Sequence, residues 1–351
     1  MTIAIKQSSF GKTSRGQNVT SYRITNSRGS YITLLDYGAI LKDIVVPDRA
    51  GRLTDVALGY DSIGGYEKNP PHMGGTIGRN CNRISSGEFS LGGKKYNLSL
   101  NDSGVNNLHS GPEGYEFRMW RTAIDRENGS VTFSLVSPDG DQGFPGQFRI
   151  NVTYSLSEDD RVTIHYEGTA SEDTVVNMTN HSYFNLNGEG SGSVLGHSLR
   201  IMARGYTPVN RNSIPLGTVE PVAGTPLDFR KPKAIGQDLE ADNEQLRFTG
   251  GFDHNFALDG DGFRKAAEAA GERSGITLAV YTDQPGIQMY AGNYLSVENG
   301  KKGHVYGSHQ GFALETQHFP DSVNNPQFPS VILRAGELYS TTTCYQFGVT
   351  H

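Results

Sequence analysis

The sequence has few cysteines and no long apolar run. Its two cysteines, Cys81 and Cys344, lie far apart in the 351 residues and outside any metal-ligand spacing. No stretch approaches the ~20 apolar residues of a membrane-spanning helix. The first ten residues lack the basic and apolar segments of a signal peptide. We therefore expect a protein of the reducing cytoplasm that does not insert into a membrane.

An excess of positive charge is missing as well. Lysine and arginine total 31 against 37 acidic residues, which gives a net charge of -6, and no basic patch stands out. Nucleic acids and anionic membranes bind basic surfaces, so neither is expected as a partner. The sequence also carries no Cys/His/carboxylate set at metal-ligand spacing, no phosphate-binding loop and no Gly-x-Ser-x-Gly elbow. We expect neither a metal nor any other cofactor.

Glycine and aromatic residues are abundant, with 44 Gly, 17 Tyr and 16 Phe. Apolar and polar residues alternate between residues 148 and 156, between 162 and 166, and between 276 and 280. Alternation with period two is typical of strands with one buried face, and short turns between such strands are typical of antiparallel sheets. We predict an all-β fold, a large antiparallel β-sandwich with few short helices, formed by a single domain over residues 1–351.

Residues 263–270 are ambiguous. Their sequence, Phe-Arg-Lys-Ala-Ala-Glu-Ala-Ala, has the composition of a short helix. However, they lack a convincing N-cap and lie between stretches that are typical of strands. We therefore predict a strand there.

Residues 177–186 combine strand formers with an unusual density of amides and hydroxyls and one imidazole. If this segment is extended, Thr179, His181, Tyr183 and Asn185 share one face. Flanking aromatic residues should bury the segment, and each buried polar group without a partner is costly. Either these groups satisfy one another, or they await a polar ligand.

Polar side chains also cluster in two glycine-containing segments upstream. Residues 78–84 carry Arg79 and Arg83 together with amides such as that of Asn82. Two arginines and two amides suggest a set of donors for oxygen ligands, although a single arginine is usually a solvated surface group. His109 lies in a predicted loop, where a histidine is either functional or incidental.

Two later segments place a carboxylate beside aromatic residues. In an extended conformation, Asp253 lies opposite Phe252 and Phe256, where it accepts hydrogen bonds from a ligand or from backbone N–H groups. Glu315 lies in an otherwise apolar stretch, where a charge without a partner is costly. Such a carboxyl is a candidate for a raised pKa, and the alternative is a structural ion pair.

Taken together, these segments resemble the aldose 1-epimerases, or galactose mutarotases, over nearly the whole chain and in the same order. The motifs that carry the resemblance are Asn82-Arg83-Ile84, Asn107-Leu108-His109-Ser110-Gly111, Asp141-Gln142-Gly143-Phe144-Pro145-Gly146, residues 177–186, Phe252-Asp253-His254-Asn255-Phe256, Gln284-Pro285-Gly286-Ile287-Gln288-Met289-Tyr290 and Leu314-Glu315-Thr316-Gln317. Two residues depart from the family pattern. Cys81 stands where alanine is more common, and Ser110 stands where a second glycine is frequent.

The resemblance implies the galactose mutarotase-like supersandwich fold with an open sugar cleft on one sheet. It implies that Glu315 is the general base, that His181 is the general acid and that His109 supports the reaction centre. The residues that it implies bind the sugar are Asn82, Arg83, His109, Tyr183, Asp253 and Gln288. The substrate would be a small free aldose such as glucose or galactose, and we expect a monomer or a homodimer.

Interconversion of the anomers of a sugar needs only proton transfer. One group removes the proton of the C1 hydroxyl, and another protonates the ring oxygen as the C1–O5 bond opens. The free aldehyde rotates about C1–C2 and the ring closes on the other face. For Glu315 and His181 we expect a bell-shaped dependence of rate on pH, with the acid limb set by the carboxylate and the basic limb by the imidazole.

Three other functions share some of these residues. A relative that acts on hexose 6-phosphates would need cations for the phosphate, for which Arg79 and Arg83 are candidates. A glycoside hydrolase would use two carboxylates, such as Asp253 and Glu315, and would leave His181 without a role. A non-catalytic sugar-binding sandwich would keep aromatic residues and amides, but it has no reason to keep a buried Glu and His together.

Overall fold

The computed structural model describes residues 3–350, which form strands and few helices. The strands in chain order are β1 (Ala4–Lys12), β2 (Asn18–Thr25), β3 (Tyr31–Leu35), β4 (Ile40–Pro47), β5 (Leu53–Asp55), β6 (Thr76–Ile77), β7 (Arg83–Ile84), β8 (Glu88–Leu91), β9 (Lys94–Asn97), β10 (Asn107–Leu108), β11 (Arg121–Asp125), β12 (Ser130–Ser137), β13 (Phe148–Leu156), β14 (Arg161–Ala170), β15 (Thr174–Val175), β16 (Thr179–Asn180), β17 (Tyr183–Phe184), β18 (Ser198–Ile201), β19 (Ala203–Tyr206), β20 (Glu220–Pro221), β21 (Lys233–Ala234), β22 (Asp253–Leu258), β23 (Arg264–Ala270), β24 (Ile276–Thr282), β25 (Gly286–Tyr290), β26 (Phe312–Gln317), β27 (Ile332–Leu333) and β28 (Leu338–Val349). The α-helices are α1 (Ile63–Lys68) and α2 (Glu244–Thr249).

Three sheets contain most of these strands. The largest has nine strands in the order β11-β12-β13-β14-β28-β24-β23-β18-β21. A six-stranded sheet has the order β17-β26-β25-β22-β19-β20, and β1 to β5 form a five-stranded sheet in sequence order. Neighbouring strands in the two larger sheets run antiparallel. The predicted all-β antiparallel sandwich with few short helices is confirmed.

The core lies between the faces of these sheets. The inward side chains of β13, each at most 1% exposed, are Phe148, Ile150, Val152, Tyr154 and Leu156. They share one apolar cluster with Phe312 and Leu314 of β26, in the six-stranded sheet. Strand β26 is buried on both faces, so its other side chains, including Glu315, are also removed from water. This second buried face of β26 is where the candidate site lies.

The local predictions agree with these bounds. The three alternating segments lie in β13, β14 and β24, and residues 264–270 of the ambiguous segment form strand β23. Cross-strand pairing decides this last case, because β23 pairs with both β18 and β24. Its pairing partners in the sheet override the helical preference of its alanines.

Residues 177–186 do not form the single extended segment that would place their alternate side chains on one face. Strand β16 pairs with β6, whereas β17 pairs with β26, so the chain changes partners at His181 and Ser182. Asn185, expected on the same face as His181, instead donates to the carbonyls of Gly192 and Gln310. Several of the polar groups in this segment therefore form hydrogen bonds within the protein and are not available to a ligand.

Neither α1 nor α2, nor any other helix within residues 3–350, has the length and apolar character needed to cross a membrane.

A buried lysine connects the five-stranded sheet to the chain before β26. Lys301 Nζ lies 2.9 Å from Asp43 and 2.8 Å from Asp55, and its side chain is 2% exposed. Burial opposes ionisation of Asp43, but the ammonium groups of Lys301 and Lys42 hold the pKa of this carboxyl below its usual range. The stabilisation is therefore present above the pKa of the unfolded carboxyl and is lost as the pH falls through the folded value.

We predict that Lys301→Met lowers the free energy of unfolding by about 3–5 kcal/mol, because it leaves the buried Asp55 without its cation and Asp43 with Lys42 alone. Urea unfolding at pH 7 measures this change. Lys95→Met is the control, since Lys95 is 60% exposed in its pair with Glu88, which is itself 44% exposed, and such pairs contribute at most about 1 kcal/mol. Equal effects of the two substitutions would contradict the role given to Lys301.

Candidate active site

Glu315 lies in the middle of β26, where neighbouring strands bury it. Its side chain is 4% exposed, and β25 places Gln288 directly opposite it. Glu315 Oε1 lies 3.5 Å from His181 Nε2, whereas Oε2 has no hydrogen-bond partner within residues 3–350. Because a buried oxygen without a partner is costly, this atom is suited to accept a hydrogen bond from a ligand.

His181 lies at the bend between β16 and β17. Its backbone N–H donates to the carbonyl of Gly75, and its own carbonyl accepts from the N–H of Gly74, each at 2.9 Å. The imidazole stacks on the ring of Tyr183, with centroids 5.0 Å apart. The change of strand partners therefore holds the backbone of His181 while its ring faces Glu315.

His109 lies just after β10 and is held by the segment before β7. Asn82, His109 and Ser110 all have a left-handed backbone, with φ between 51° and 66°, which is uncommon for residues other than glycine. The backbone N–H of Asn82 donates to His109 Nδ1 at 3.1 Å. Nδ1 is therefore an acceptor, so in the neutral ring Nε2 carries the proton. His109 can donate to a ligand oxygen but cannot accept from it.

The pKa values of the acid–base groups move in opposite directions. Burial, with the nearby charge of Asp253, raises the pKa of Glu315 well above its ordinary value, although Arg83 opposes this. Burial, with the charge of His72, lowers the pKa of His181 to about 3. Burial therefore favours the uncharged form of each group, which is a protonated Glu315 beside an unprotonated His181.

The donor atoms of His109, His181 and Glu315 lie within 4.8 Å of one another, a spacing that suits a metal ion. A histidine ligand binds a metal through an unprotonated ring nitrogen. In His109, Nδ1 is already occupied by the Asn82 N–H and Nε2 carries the proton. This donor set therefore fits hydrogen bonding to a ligand better than metal coordination.

A second carboxylate lies close to this centre. Asp253 begins β22, and its Oδ1 accepts from Gln288 Nε2 at 2.6 Å. Burial raises the pKa of Asp253, while Arg83 lowers it. Arg83 Nε donates to Asp102 Oδ2 at 2.8 Å, which holds the guanidinium at the same end of the site.

These groups line a cavity of about 300 Å³. Its lining residues are Pro70, Pro71, His72, Asn82, Arg83, Leu108, His109, His181, Tyr183, Ser213, Phe248, Thr249, Asp253, Tyr290, Tyr294, Leu295, Ser296 and Glu315. Both polar groups and aromatic side chains line its walls, a composition that suits a small polyhydroxylated molecule.

A sequence model of the aldose 1-epimerase family matches residues 20–346. The chain belongs to this family. It is 40% identical to the galactose mutarotase of Rattus norvegicus, over 99% of each chain. It is also 40% identical to the aldose 1-epimerase of Escherichia coli, over 95% of this chain and 96% of that one.

Solved structures show the same fold. The galactose 1-epimerase from Lactobacillus acidophilus superposes with a TM-score of 0.86 at 29% identity, and the match covers all of both chains. The GalM/aldose epimerase homologue from C. elegans gives a TM-score of 0.84 at 31% identity, over 94% of this chain and 98% of that chain. The resemblance to aldose 1-epimerases is therefore confirmed.

Most residues singled out as site candidates lie together in this epimerase fold. The candidates that line the cavity are Asn82, Arg83, His109, His181, Tyr183, Asp253 and Glu315. Gln288 does not line it, but it lies opposite Glu315 and donates to Asp253.

The suggestion that Arg79 belongs to a set of ligand donors was wrong. Its side chain is buried, and it donates to the carbonyls of Pro145 and Gly146 at 2.7 and 2.8 Å. The rings of Phe144 and Phe148 each lie 5.8 Å from the guanidinium. Arg79 therefore holds loops of the epimerase fold together, and it does not line the cavity.

Sequence reasoning missed His72, which lines the cavity beside the other two histidines. The ring of His72 lies 4.7 Å from that of His109 and 6.0 Å from that of His181, between centroids. No local pattern marks this residue, because its partners come from distant parts of the chain. Its position after Pro70 and Pro71, in a rigid turn, was the one available signal.

The pKa directions predict that the limbs of the pH profile are exchanged relative to the expectation from sequence. Below the pKa of His181 both groups are protonated and no base remains; above the pKa of Glu315 neither is protonated and no acid remains. In plots of kcat/KM against pH, His181→Asn should therefore remove the acid limb and Glu315→Gln the basic limb. Loss of the acid limb in Glu315→Gln would contradict this assignment.

Proposed function

We propose that this protein is an aldose 1-epimerase that interconverts the α and β anomers of free aldoses such as glucose and galactose. The observation that carries this proposal is the buried pair of Glu315 and His181, 3.5 Å apart on the wall of a polar cavity. The identity of 40% to galactose mutarotases over nearly the full length supports it.

In the proposed reaction, Glu315 removes the proton of the C1 hydroxyl while His181 protonates the ring oxygen. The C1–O5 bond breaks, the aldehyde rotates about C1–C2, and the reverse transfers close the ring on the other face. The pair gives one proton and takes one proton, so it returns to its starting charge. General acid and general base each contribute about 10²–10⁴-fold to such a step.

This assignment requires the proton of the pair to reside on His181 when the sugar is bound. A sugar hydroxyl that donates to Glu315 Oε2 satisfies the atom that lacks a protein partner. Hydrogen bonds to a carboxylate favour its charged form and lower its pKa. The proton then moves across the 3.5 Å contact to the imidazole, which becomes the acid.

The remaining candidates are proposed to position the sugar. His109 donates from Nε2–H to a sugar oxygen, since its Nδ1 is already bonded to Asn82. Asp253 and Arg83 bind hydroxyls at the other end of the cavity, with Gln288 orienting the carboxylate. The ring of Tyr183 offers its face to the C–H side of the sugar, as aromatic residues do in sugar sites.

The cavity argues against a phosphorylated substrate. Within the described residues, Arg83 is the single Lys or Arg on its wall, and Asp102 already binds it. Arg79, the other candidate cation, is held by backbone carbonyls elsewhere. A hydrolase that uses Asp253 with Glu315 would leave His181 without a role, and a sugar-binding protein would not need the pair.

We also propose that the free aldose is the partner this site requires, with no role for nucleic acid or membrane. The chain would act as a monomer or homodimer, as one domain over residues 1–351, in the cytoplasm. Cys81 and Cys344 are both buried and unpaired, which agrees with a reducing compartment.

Polarimetry tests the activity directly. Freshly dissolved α-glucose, α-galactose and α-xylose should reach their equilibrium rotation faster with the protein than without it. A rate equal to the buffer rate for all three sugars would contradict the proposed function.

We predict that Glu315→Gln and His181→Asn each lower kcat by at least about 10²-fold, because each removes one proton transfer. The double variant should be barely slower than either single variant, as for residues that act as a unit. Glu272→Gln is the matched control, since Glu272 contacts His197 at 2.9 Å outside the cavity. A folded Glu315→Gln protein with near-normal mutarotation would refute the mechanism.

Asp253→Ala and Arg83→Ala should mainly raise KM, because both groups are assigned to hydroxyls away from the broken bond. A sugar held at the wrong angle would also lose some kcat. Initial rates across a range of sugar concentrations separate the two parameters. Arg121→Ala, at an exposed position of β11, is the control. Unchanged KM values in both site variants would remove these residues from the sugar site.

A further inference from the structure

His72 is held rigidly at the cavity wall. The side chain of the fully buried Asn69 accepts from the N–H of Met73 at 2.9 Å and donates to its carbonyl at 3.2 Å. His72 has a left-handed backbone, with φ of 60°. Such a conformation costs free energy in residues other than glycine, and it persists where surrounding contacts enforce it. The turn therefore fixes the backbone position from which the His72 side chain extends.

A buried carboxylate fixes the ring itself. Glu116 Oε1 lies 2.8 Å from His72 Nδ1, and the Glu116 side chain is 0% exposed. Within residues 3–350 its other oxygen, Oε2, has no hydrogen-bond partner. A buried carboxylate with a single imidazole partner is an expensive arrangement. The stability of the fold alone gives no reason for it.

The backbone around Glu116 leaves space for this side chain. A Cβ atom added at Gly75 would lie 2.7 Å from Glu116 Cβ, and one at Gly114 would overlap the carboxylate group. Two glycines on separate segments therefore make room for one buried glutamate. The pocket around Glu116 is built for a carboxylate that points at His72.

His72 in turn contacts the reaction centre. Its ring packs edge-on against His109 at 4.7 Å and lies 6.0 Å from the ring of His181. Three imidazoles thus meet at one end of the cavity, and only His72 has a carboxylate on its Nδ1 side. A ring so anchored restricts the motion of the two rings that it contacts.

We propose that Glu116 and His72 are positioning residues of the acid–base site. Glu116 orients the ring of His72. His72 in turn restricts the rings of His109 and His181 and influences their protonation. His72 acts through these two histidines, so its role rests on the mutarotase function proposed above. The proposal adds a third histidine and a buried glutamate to the groups that set the rate.

The electrostatic part of this role follows from the surroundings of His181. The titratable or charged groups that face it are His72, His109, Tyr183 from β17 and Glu315 from β26, with Arg83 and Asp253 elsewhere on the cavity wall. Burial lowers the pKa of His181, and the charge of His72 lowers it further. The same two causes lower the pKa of His109. Removal of the charge on His72 should therefore raise both values.

The test uses His72→Asn and Glu116→Gln in the full-length protein. Asparagine tolerates the left-handed backbone but removes the imidazole, whereas glutamine keeps a hydrogen bond to His72 and removes the negative charge beside it. Glu113→Gln is the matched control, because it removes the same charge at an exposed position in the same loop. The measurements are the titration of His181 by NMR of the imidazole nitrogens and the acid limb of kcat/KM.

We expect both variants to move the His181 titration and the acid limb to higher pH, by about half a unit or more, while Glu113→Gln moves neither. A merely structural role would lower thermal stability but leave both pH midpoints unchanged, and that result would overturn the proposal. If His72→Asn fails to fold, Glu116→Gln alone decides. A wild-type protein without mutarotase activity would overturn the proposed function, yet the NMR titration would still test the influence of His72.

Discussion

The structure of the site depends on the burial of Glu315 and His181 against each other. Both side chains are almost completely buried, and their nearest atoms are 3.5 Å apart. Burial penalises the charged form of each group, so the free pair favours a protonated glutamate beside a neutral histidine. A pair in this state has no net charge, so the free-energy cost of its burial is small. It nevertheless contains one acid and one base. The fold must exclude water from these two groups, hold them close together and provide no other hydrogen-bond partner for their reactive atoms.

The two faces of the six-stranded sheet have different roles in the site. Phe312 and Leu314 of β26 enter the apolar core, while Glu315 points to the opposite face. The neighbouring strand supplies Gln288, which is opposite Glu315 and binds Asp253. Loops outside the sheet then supply the histidines, which explains why residues with left-handed backbones gather there.

Local sequence patterns predicted much of this fold, because period-two alternation depends only on neighbouring residues. They also marked the segments around His109, His181, Asp253 and Glu315, where polar groups interrupt apolar surroundings. They failed where the outcome depends on distant partners. The bend at His181 arises because β16 and β17 pair with different strands, and Arg79 is committed to carbonyls of residues 145 and 146. The proposed role of His72 depends on its contact with Glu116, which is 44 residues away in the sequence.

Anomerisation is reversible, so a pair that holds one proton must serve both the opening and the closing of the ring. The same pair must open the ring from either anomer and close it to either face, so acid and base exchange duties within each turnover. Any state with one proton on the pair is one transfer away from the productive state. Neighbouring charges then set the range of pH over which the pair holds one proton. Asp253 and Arg83 act on the carboxyl end, and His72 acts on the imidazole end. The wall of the cavity would thus govern the width of the active pH range, while Glu315 and His181 are the groups that we propose carry out the proton transfers.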